Sequence, residues 1–400
     1  MKATNNCTRH PSLQVPVRSV LRHLLVPPSI AVNAKAHVHA RSASNLGLQR
    51  SRASSRMRVA GAKAQASEAT TGATAADSIE NKKAASVAVI GVGLMGNKIA
   101  RRLASQGAQV SAWNRTSTSD KLTTLPDAGV RVCHSLKEAA TADVLLLTLS
   151  DAATIRATIL SDEMRPLLPG KTILQMGTIG PAESRGLASD ISSAGGRYVE
   201  APVLGSQPEA ERGALLIMVG AEADPRVSPG DPVWPLLLAL GREPDIHFMG
   251  PVGAAAAVKL ALNQLIASLT VGFSCSLGLV QRSGAPVDRF MSLLRASALY
   301  APTYDKKLGK MLDRDYGAAN FPTKHLLKDV KLFESEAAAV GLDTRLLAAL
   351  RGIVQDTVDR GLANTDYSAV YDAVVYPDAD PATAAAAAAD PAVEPSKQRA

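Results

Sequence analysis

Residues 86–96 read Ser-Val-Ala-Val-Ile-Gly-Val-Gly-Leu-Met-Gly. Ser86–Ile90 is a short, nearly continuous apolar run, the pattern of a parallel strand covered on both faces. A Gly-x-Gly-x-x-Gly follows at once, and a helical pattern runs from it to about Ser105, stopping near Gly107. Alone, that glycine spacing is a weak signal. Between a strand and a helix it has the context of a dinucleotide-binding turn. Gly91 suits the tight turn, Gly93 lets a pyrophosphate approach the backbone, and Gly96 lets the helix lie close on the strand. The helix N-terminus then faces the phosphates, so Gly91, Val92, Gly93, Leu94, Met95 and Gly96 are candidate cofactor-binding residues.

Working outward, further strands are expected at Gln109–Trp113, Asp143–Leu149, Lys171–Met176, Arg197–Ala201, Leu215–Val219 and Asp245–Met249. Helical stretches separate most of them, which predicts a doubly wound, mostly parallel sheet. From Gly253 the pattern changes. A helix of about 30 residues is expected from Ala254 to Ser283, with shorter helices after it and no convincing strand. The predicted order is a leader over 1–80, an α/β Rossmann domain over 84–250, an all-α domain over 251–377 joined by the long helix, and a low-complexity, disordered tail over 378–400.

The end of the second strand discriminates between nicotinamide cofactors. An acidic residue there would bind the ribose 2′-hydroxyl of NAD. This chain has Asn114-Arg115-Thr116 instead. No carboxylate repels a 2′-phosphate and Arg115 can pair with one, so NADPH is preferred. The competing reading of Arg115 is an ordinary surface arginine.

Lys259 is the only charged residue between Gly250 and Arg282. A long apolar helix would bury it in part, and desolvation lowers a lysine pKa toward the range of acid/base work. Asn263, four positions on, shares its helix face and is expected to hold the amine. A snorkelling surface lysine is the other reading on these residues alone.

Composition narrows the class. Hydrophobic content is 46% and aromatic content 4%, which suits an Ala- and Leu-rich helical protein better than an all-β one. Net charge is +8, but residues 1–67 hold eleven basic and no acidic side chains. The rest, with 33 basic and 36 acidic residues, is mildly acidic and makes no case for nucleic-acid binding. The leader is Arg- and Ser-rich and acid-free, as organelle transit peptides are, with a chloroplast as the first choice and a mitochondrion as the alternative. Of the three cysteines, Cys7 lies in the leader, and Cys133 and Cys275 show no metal or redox spacing and read as packing residues of a reducing compartment. Leu260–Val280 is uncharged and long enough to span a membrane, yet its Asn, Gln, Ser and Thr content favours a buried helix of a soluble protein. His134, His247 and His325 have no companion at metal spacing; His325, close in sequence to Lys328, has a cleft-lining reading, but a helix-surface position is the expectation.

With these residues in hand the chain resembles the β-hydroxyacid dehydrogenases, a 6-phosphogluconate dehydrogenase-like group. Within them it is similar to relatives of 3-hydroxyisobutyrate dehydrogenase and to plant glyoxylate/succinic semialdehyde reductases. The likeness covers roughly Ala85 to Tyr376. It rests on GVGLMG, on Glu200-Ala201-Pro202-Val203-Leu204-Gly205-Ser206 as the substrate loop, and on Gly250, Gly253, Lys259 and Asn263 as the catalytic helix. Thr178, Leu149-Ser150 and Lys328-Asp329 complete it. The resemblance implies an NADPH-dependent oxidoreductase that transfers a hydride to a small aldehyde acid such as glyoxylate or succinic semialdehyde. Lys259 and Asn263 are then catalytic, with Lys259 the general acid. Leu149, Ser150, Thr178 and Lys328 are placed at the cofactor, and Thr178, Val203, Leu204, Gly205, Ser206 and Asn263 at the substrate. Lys328 also reads as a solvated helix lysine, and Asp329 as a structural partner. Leu204 departs from the family's usual serine, which puts the substrate in doubt. A 3-hydroxyisobutyrate or tartronate semialdehyde-type dehydrogenase is the alternative, and a non-catalytic NADPH-binding scaffold the reading from another class. A homodimer or homotetramer is expected.

Overall fold

In the computed structural model, residues 85–117 and 119–377 are described. The leader and tail readings lie outside them. Nine strands form one sheet: β1 (Val87–Ile90), β2 (Val110–Trp113), β3 (Arg131–Val132), β4 (Val144–Leu147), β5 (Thr172–Gln175), β6 (Arg197–Glu200), β7 (Val203–Leu204), β8 (Leu216–Gly220) and β9 (Ile246–Gly250). The order β3-β2-β1-β4-β5-β6 is parallel throughout, the doubly wound Rossmann arrangement. β8 then adds antiparallel to β6, and carries β7 antiparallel and β9 parallel.

Burial explains why the central strands read as unbroken apolar runs. In β1, Val87 and Val89 join one core cluster, while Ala88 and Ile90 join the cluster on the opposite face. β4 repeats this, with Val144 and Leu146 against Leu145 and Leu147. Each such Val, Leu or Ile side chain contributes about 1.5–3 kcal/mol by leaving water. A polar residue at any of these positions would therefore forfeit more than a typical hydrogen bond returns. The helices Leu94–Ser105 and Val233–Leu240 supply the first cluster, and Ala152–Ile159 with Pro181–Ser193 the second.

All seven expected strands are present: five are shorter by a residue or more, and β8 and β9 keep their length but lie one residue further along the chain. β3 and β7 were not anticipated, because two-residue strands such as Arg131–Val132 and Val203–Leu204 are too short for an alternating pattern. After β9 the chain turns through Gly250 and Gly253, both at positive φ (+106° and +100°), into the helix Ala254–Arg282. The helices Val287–Ala296, Pro302–Leu312, Thr323–Ala339, Arg345–Thr357 and Val370–Val375 follow, enclosing two further apolar clusters.

Three expectations are corrected. Cys133 is buried, but Cys275 is exposed and is no core residue. His325 is half-buried and stacked on Phe321 at 6.4 Å rather than lying on a helix surface; burial, then Lys328 and Lys324, lowers its pKa. The long helix buries one face only. Its other face carries Val258, Leu265 and Leu279, which are 36%, 53% and 69% exposed.

Candidate active site

The glycine turn sits at the C-terminal end of β1. Gly91 has φ +98° and donates its N–H to Trp113 O of β2 at 2.9 Å. A Cβ on Gly96 would lie 2.1 Å from Gly91 O and 2.6 Å from Thr148 Oγ1, so only glycine fits there. Thr148, the residue after β4, donates its hydroxyl to Gly91 O and closes the turn from the other side. A Cβ on Gly93 would meet nothing within 4 Å, which leaves the approach to the loop open. The helix Leu94–Ser105 begins there with no side-chain cap and no acidic residue in its first turn. Free N–H groups, the positive end of the helix dipole and open space suit a pyrophosphate. These residues fit a nicotinamide dinucleotide.

Asn114 helps to build this cradle. Its Oδ1 accepts from Val92 N–H at 3.0 Å, and its Nδ2 donates to Thr116 O at 3.1 Å. Both ends of the amide therefore brace the loop from β2, a role the sequence reading did not assign. Arg115 and Thr116 are exposed beside it. Leu149 is half-buried, with its Cδ2 close enough to Gly91 to exclude a Cβ there; Ser150 is exposed and donates to Asp151 Oδ2 at 2.6 Å. Asp151 caps the Ala152–Ile159 helix through Thr154 N–H. Burial alone would raise its pKa, but bonds from Ser150 and Thr154, with Lys328 nearby, hold it below the usual carboxylate range.

The second half of the site comes from two helices. Lys259 is 8% exposed, and Asn263, one turn on, 3% exposed. Burial pushes the Lys259 ammonium down to about 8; Asp329 pulls it upward and Lys328 lowers it further. Asn263 does not hold the lysine, as was expected from their spacing. Its Nδ2 donates to Asp329 Oδ2 at 2.6 Å, because the Thr323–Ala339 helix packs on this face and brings in a stronger acceptor. Asn263 Oδ1 is left buried without a hydrogen bond. Lys328 Nζ lies 3.0 Å from Asp329 Oδ1, an ion-pair contact outside hydrogen-bonding geometry, and donates to Thr178 O at 2.5 Å. Thr178 follows β5, so this bond joins the helical half directly to the strand ends. The structure thus brings Lys259, Asn263, Lys328 and Thr178 together. The hydroxyl of Thr178 makes no hydrogen bond among the described residues.

The substrate loop corrects another expectation. Ser206 gives both its N–H (2.8 Å) and its hydroxyl (2.7 Å) to Glu209 Oε2, capping the short Gln207–Arg212 helix. Neither donor is free for a substrate. Val203 packs on the core, and Leu204, paired with Leu216 of β8, faces the other way by strand alternation. Gly205 is exposed, with φ +139°.

One residue quoted for its motif has an unforeseen place. Glu200 ends β6 and is 1% exposed. Its Oε1 accepts from the N–H groups of Gly253, Ala255 and Ala256 at 2.7, 2.9 and 3.4 Å, and Oε2 accepts from Ser184 Oγ at 2.5 Å. It therefore caps the helix that carries Lys259. The only sequence signal is an acid closing an apolar strand. A separate cavity of about 690 Å³ beside Arg197, Tyr198 and Asp231 contains none of these residues. No cluster of metal-ligating side chains occurs among the described residues.

Comparison with known proteins agrees with this architecture. Residues 86–233 match the model of the NAD-binding domain of 6-phosphogluconate dehydrogenase, and 253–374 that of the NAD-binding domain of NADP-dependent 3-hydroxyisobutyrate dehydrogenase. The chain is 29% identical over 296 residues to glyoxylate/succinic semialdehyde reductase 2, chloroplastic, of Arabidopsis thaliana, covering 72% of this chain and 79% of that one. It is 30% identical over 254 residues to an uncharacterised oxidoreductase of Synechocystis, covering 63% and 85%. The fold is shared with 3-hydroxyisobutyrate dehydrogenase from Salmonella typhimurium, at TM-score 0.62 and 22% identity over 72% of this chain and 98% of that one. The chain belongs to the β-hydroxyacid dehydrogenase family, NAD(P)-dependent oxidoreductases that act on CH–OH groups.

Proposed function

We propose that this enzyme is an NADPH-dependent reductase of small aldehyde acids, glyoxylate or succinic semialdehyde, with Lys259 as the general acid. The observation that carries the reading is the buried Lys259, lowered to about 8, in one cluster with the Lys328–Thr178 junction at the strand ends. When bound, the reduced nicotinamide supplies a hydrogen and two electrons to the carbonyl carbon. Lys259 Nζ is protonated at neutral pH and gives its proton to the carbonyl oxygen as charge develops there. Low exposure strengthens that interaction, because water does not screen it. Asn263 Oδ1, an orphaned acceptor, is suited to receive a hydrogen bond from the product hydroxyl or from Lys259. With Ser206 committed to Glu209, the Thr178 hydroxyl and the Lys328 ammonium are side-chain donors at the strand ends for a substrate carboxylate. The preference for NADPH rests on Arg115, exposed at the end of β2 with no acidic neighbour in Asn114-Arg115-Thr116.

A plastid location is part of the same proposal. It rests on the acid-free leader and on the printed name of one Arabidopsis relative.

The test is NADPH oxidation with glyoxylate, succinic semialdehyde and tartronate semialdehyde, for wild type and Lys259→Ala. Turnover of one of the first two, reduced about 10²–10⁴-fold in the variant with NADPH affinity unchanged, is the expected result. Turnover of tartronate semialdehyde alone would move the substrate assignment. Tight NADPH binding with no turnover would sink the reductase reading.

A further inference from the structure

We propose that the cavity of about 690 Å³ beside the start of β6 is a second small-molecule site, that it takes a zwitterionic α-amino acid, and that its occupant acts on the helix carrying Lys259. The volume falls in the range of about 300–1,000 Å³ typical of metabolite sites. Its place separates it from the cofactor and substrate cleft. That cleft lies at the C-terminal ends of the parallel strands, where Gly91, Thr148 and Thr178 follow β1, β4 and β5. Arg197 opens β6, in register with Thr172 at the start of β5, so the cavity lies toward the opposite end of the sheet.

The wall facing β6 is a stiff loop. Residues 222–232 run from β8 to the helix Val233–Leu240 without regular structure. Pro225, Pro229 and Pro232 restrict this segment, and Gly230 turns it at φ +73°. Asp224 accepts from the N–H and the guanidinium of Arg226, and Asp231 Oδ1 accepts from Val233 N–H at 2.8 Å. Asp231 Oδ2 accepts from the Arg197 guanidinium at 2.6 Å and ties the loop to β6. A wall fixed in this way is pre-organised, so little ordering entropy opposes binding.

The charges select the ligand. Arg197 gives one guanidinium N–H to Asp231, and its other guanidinium donors make no hydrogen bond among the described residues. The antiparallel pairing of Glu200 with Gly220 leads the chain back beside β6, so Glu222 lines the same cavity as Arg197. Glu222 has no ion pair and no hydrogen bond among the described residues, with Arg197 or any other group. A carboxylate suits the free edge of the guanidinium, and an ammonium suits Glu222. An α-amino acid carries both on one carbon. A simple anion or a simple amine would leave one of the two charges unanswered. Ala188, Pro229 and Val252 supply apolar wall for the side chain.

Two residues of the cavity wall lead to the active site. Val252 precedes Gly253, whose N–H is held by Glu200 Oε1 at 2.7 Å. Tyr198 Oη lies 2.9 Å from Ser184 Oγ, which donates to Glu200 Oε2 at 2.5 Å. Glu200 is the carboxylate that caps the Lys259 helix. A ligand favours the arrangement it fits, and here that arrangement has the cap in place. Occupancy therefore favours the placement of Lys259 for proton transfer. This coupling rests on the proposed role of Lys259; the binding site does not.

The experiment is calorimetric titration of the full chain, saturated with NADPH, with L-leucine and with L-phenylalanine, for wild type, Glu222→Gln and Ala223→Trp. Both substituted positions are exposed, and circular dichroism checks the fold. At least one amino acid should bind with a Kd on the order of 0.1 mM. Either substitution should weaken it at least about 10-fold, the first by removing the charge and the second by filling the cavity. Analogues of the bound amino acid without its amine, or without its carboxylate, should lose at least as much. In steady-state reduction of the aldehyde acid, saturation with the amino acid should raise kcat at least about twofold and leave KM for NADPH unchanged, and Ala223→Trp should abolish the response. Absence of binding by both amino acids, binding indifferent to both substitutions, or equal affinity for the analogues would each overturn the site. Binding with no change in kcat would overturn the coupling. An enzyme that reduces none of the aldehyde acids leaves the calorimetric result standing, so failure of the reductase reading and failure of the site are told apart.

Discussion

Asn263 Nδ2 lies 2.6 Å from Asp329 Oδ2, so the amide one turn beyond Lys259 is held by a carboxylate from another helix and not by the lysine. Asp329 is thereby fixed beside Lys259, where its charge opposes the effect of burial on the ammonium. The lysine is tuned by a residue 70 positions away, through electrostatics rather than through a direct bond.

This arrangement sets a pH dependence. Lys259 is lowered to about 8, so the protonated acid needed for carbonyl reduction is lost as pH rises through that value. kcat/KM for reduction should fall above pH 8, while alcohol oxidation, which needs the neutral amine, should rise through the same range. Asp329→Asn removes the charge that raises the lysine pKa, and should move the alkaline limb of reduction down by roughly one unit. An unmoved limb in that variant would separate Asp329 from the proton donor.

The same burial has a stability cost. An unfolded lysine titrates near 10.5 and the folded one near 8, so between these values the unfolded chain binds more protons. Stability should therefore rise with pH across that window, and the penalty should be fully present below pH 8. Lys259→Met removes the buried charge and should stabilise the protein at pH 7 by up to about 3 kcal/mol while abolishing turnover. Urea unfolding at pH 7 and pH 10 checks both signs: the gain should shrink at the higher pH.

Glu200 accepts three N–H groups at the start of the Lys259 helix, so its removal leaves buried donors unpaired. Glu200→Ala should cost about 3 kcal/mol in chemical denaturation. It should also lower kcat by 10-fold or more through misplacement of the lysine, with cofactor affinity little changed. Glu200→Gln keeps an acceptor oxygen and should lose less of both. Gly220→Ala tests the same contact from the other side, because its Cβ would lie 2.2 Å from Glu200 Oε1.

Arg115 is exposed at the end of β2, and its part in cofactor choice is open to direct measurement. Arg115→Ala should raise KM for NADPH about 10-fold and leave KM for NADH nearly unchanged, since only NADPH carries the 2′-phosphate. Equal effects on both cofactors would place the arginine elsewhere in binding.

Much of this was legible in the residues, for identifiable reasons. β1 and β4 lie at the centre of a parallel sheet, so both faces must be apolar, and continuous runs such as VAVI and VLLL report that directly. Gly91 and Gly96 are legible because a positive φ and a 2.1 Å approach tolerate no other residue. Lys259 is legible because a single charge in an uncharged helix stands out. The partners of polar side chains were less so. Ser206 has the right type and place for a substrate contact, but three residues on, Glu209 captures both its donors, and a capping box outweighs a family expectation. Cys275 and His325 were misjudged because residue type does not say which helix face the rest of the chain covers.

By itself, then, the sequence determined what local geometry and burial impose: the glycine turn, the strand–helix alternation, the change to helices after Gly250 and the isolated lysine. Only the tertiary structure decided which polar groups meet. Asp329 with Asn263, Lys328 with Thr178 O, and Glu200 with the N-terminus of the Lys259 helix join residues 53 to 150 positions apart. Hydrogen bonds depend on distances of a few tenths of an ångström between such groups. Periodicity carries no information at that range; packing of the helices on the sheet supplies it.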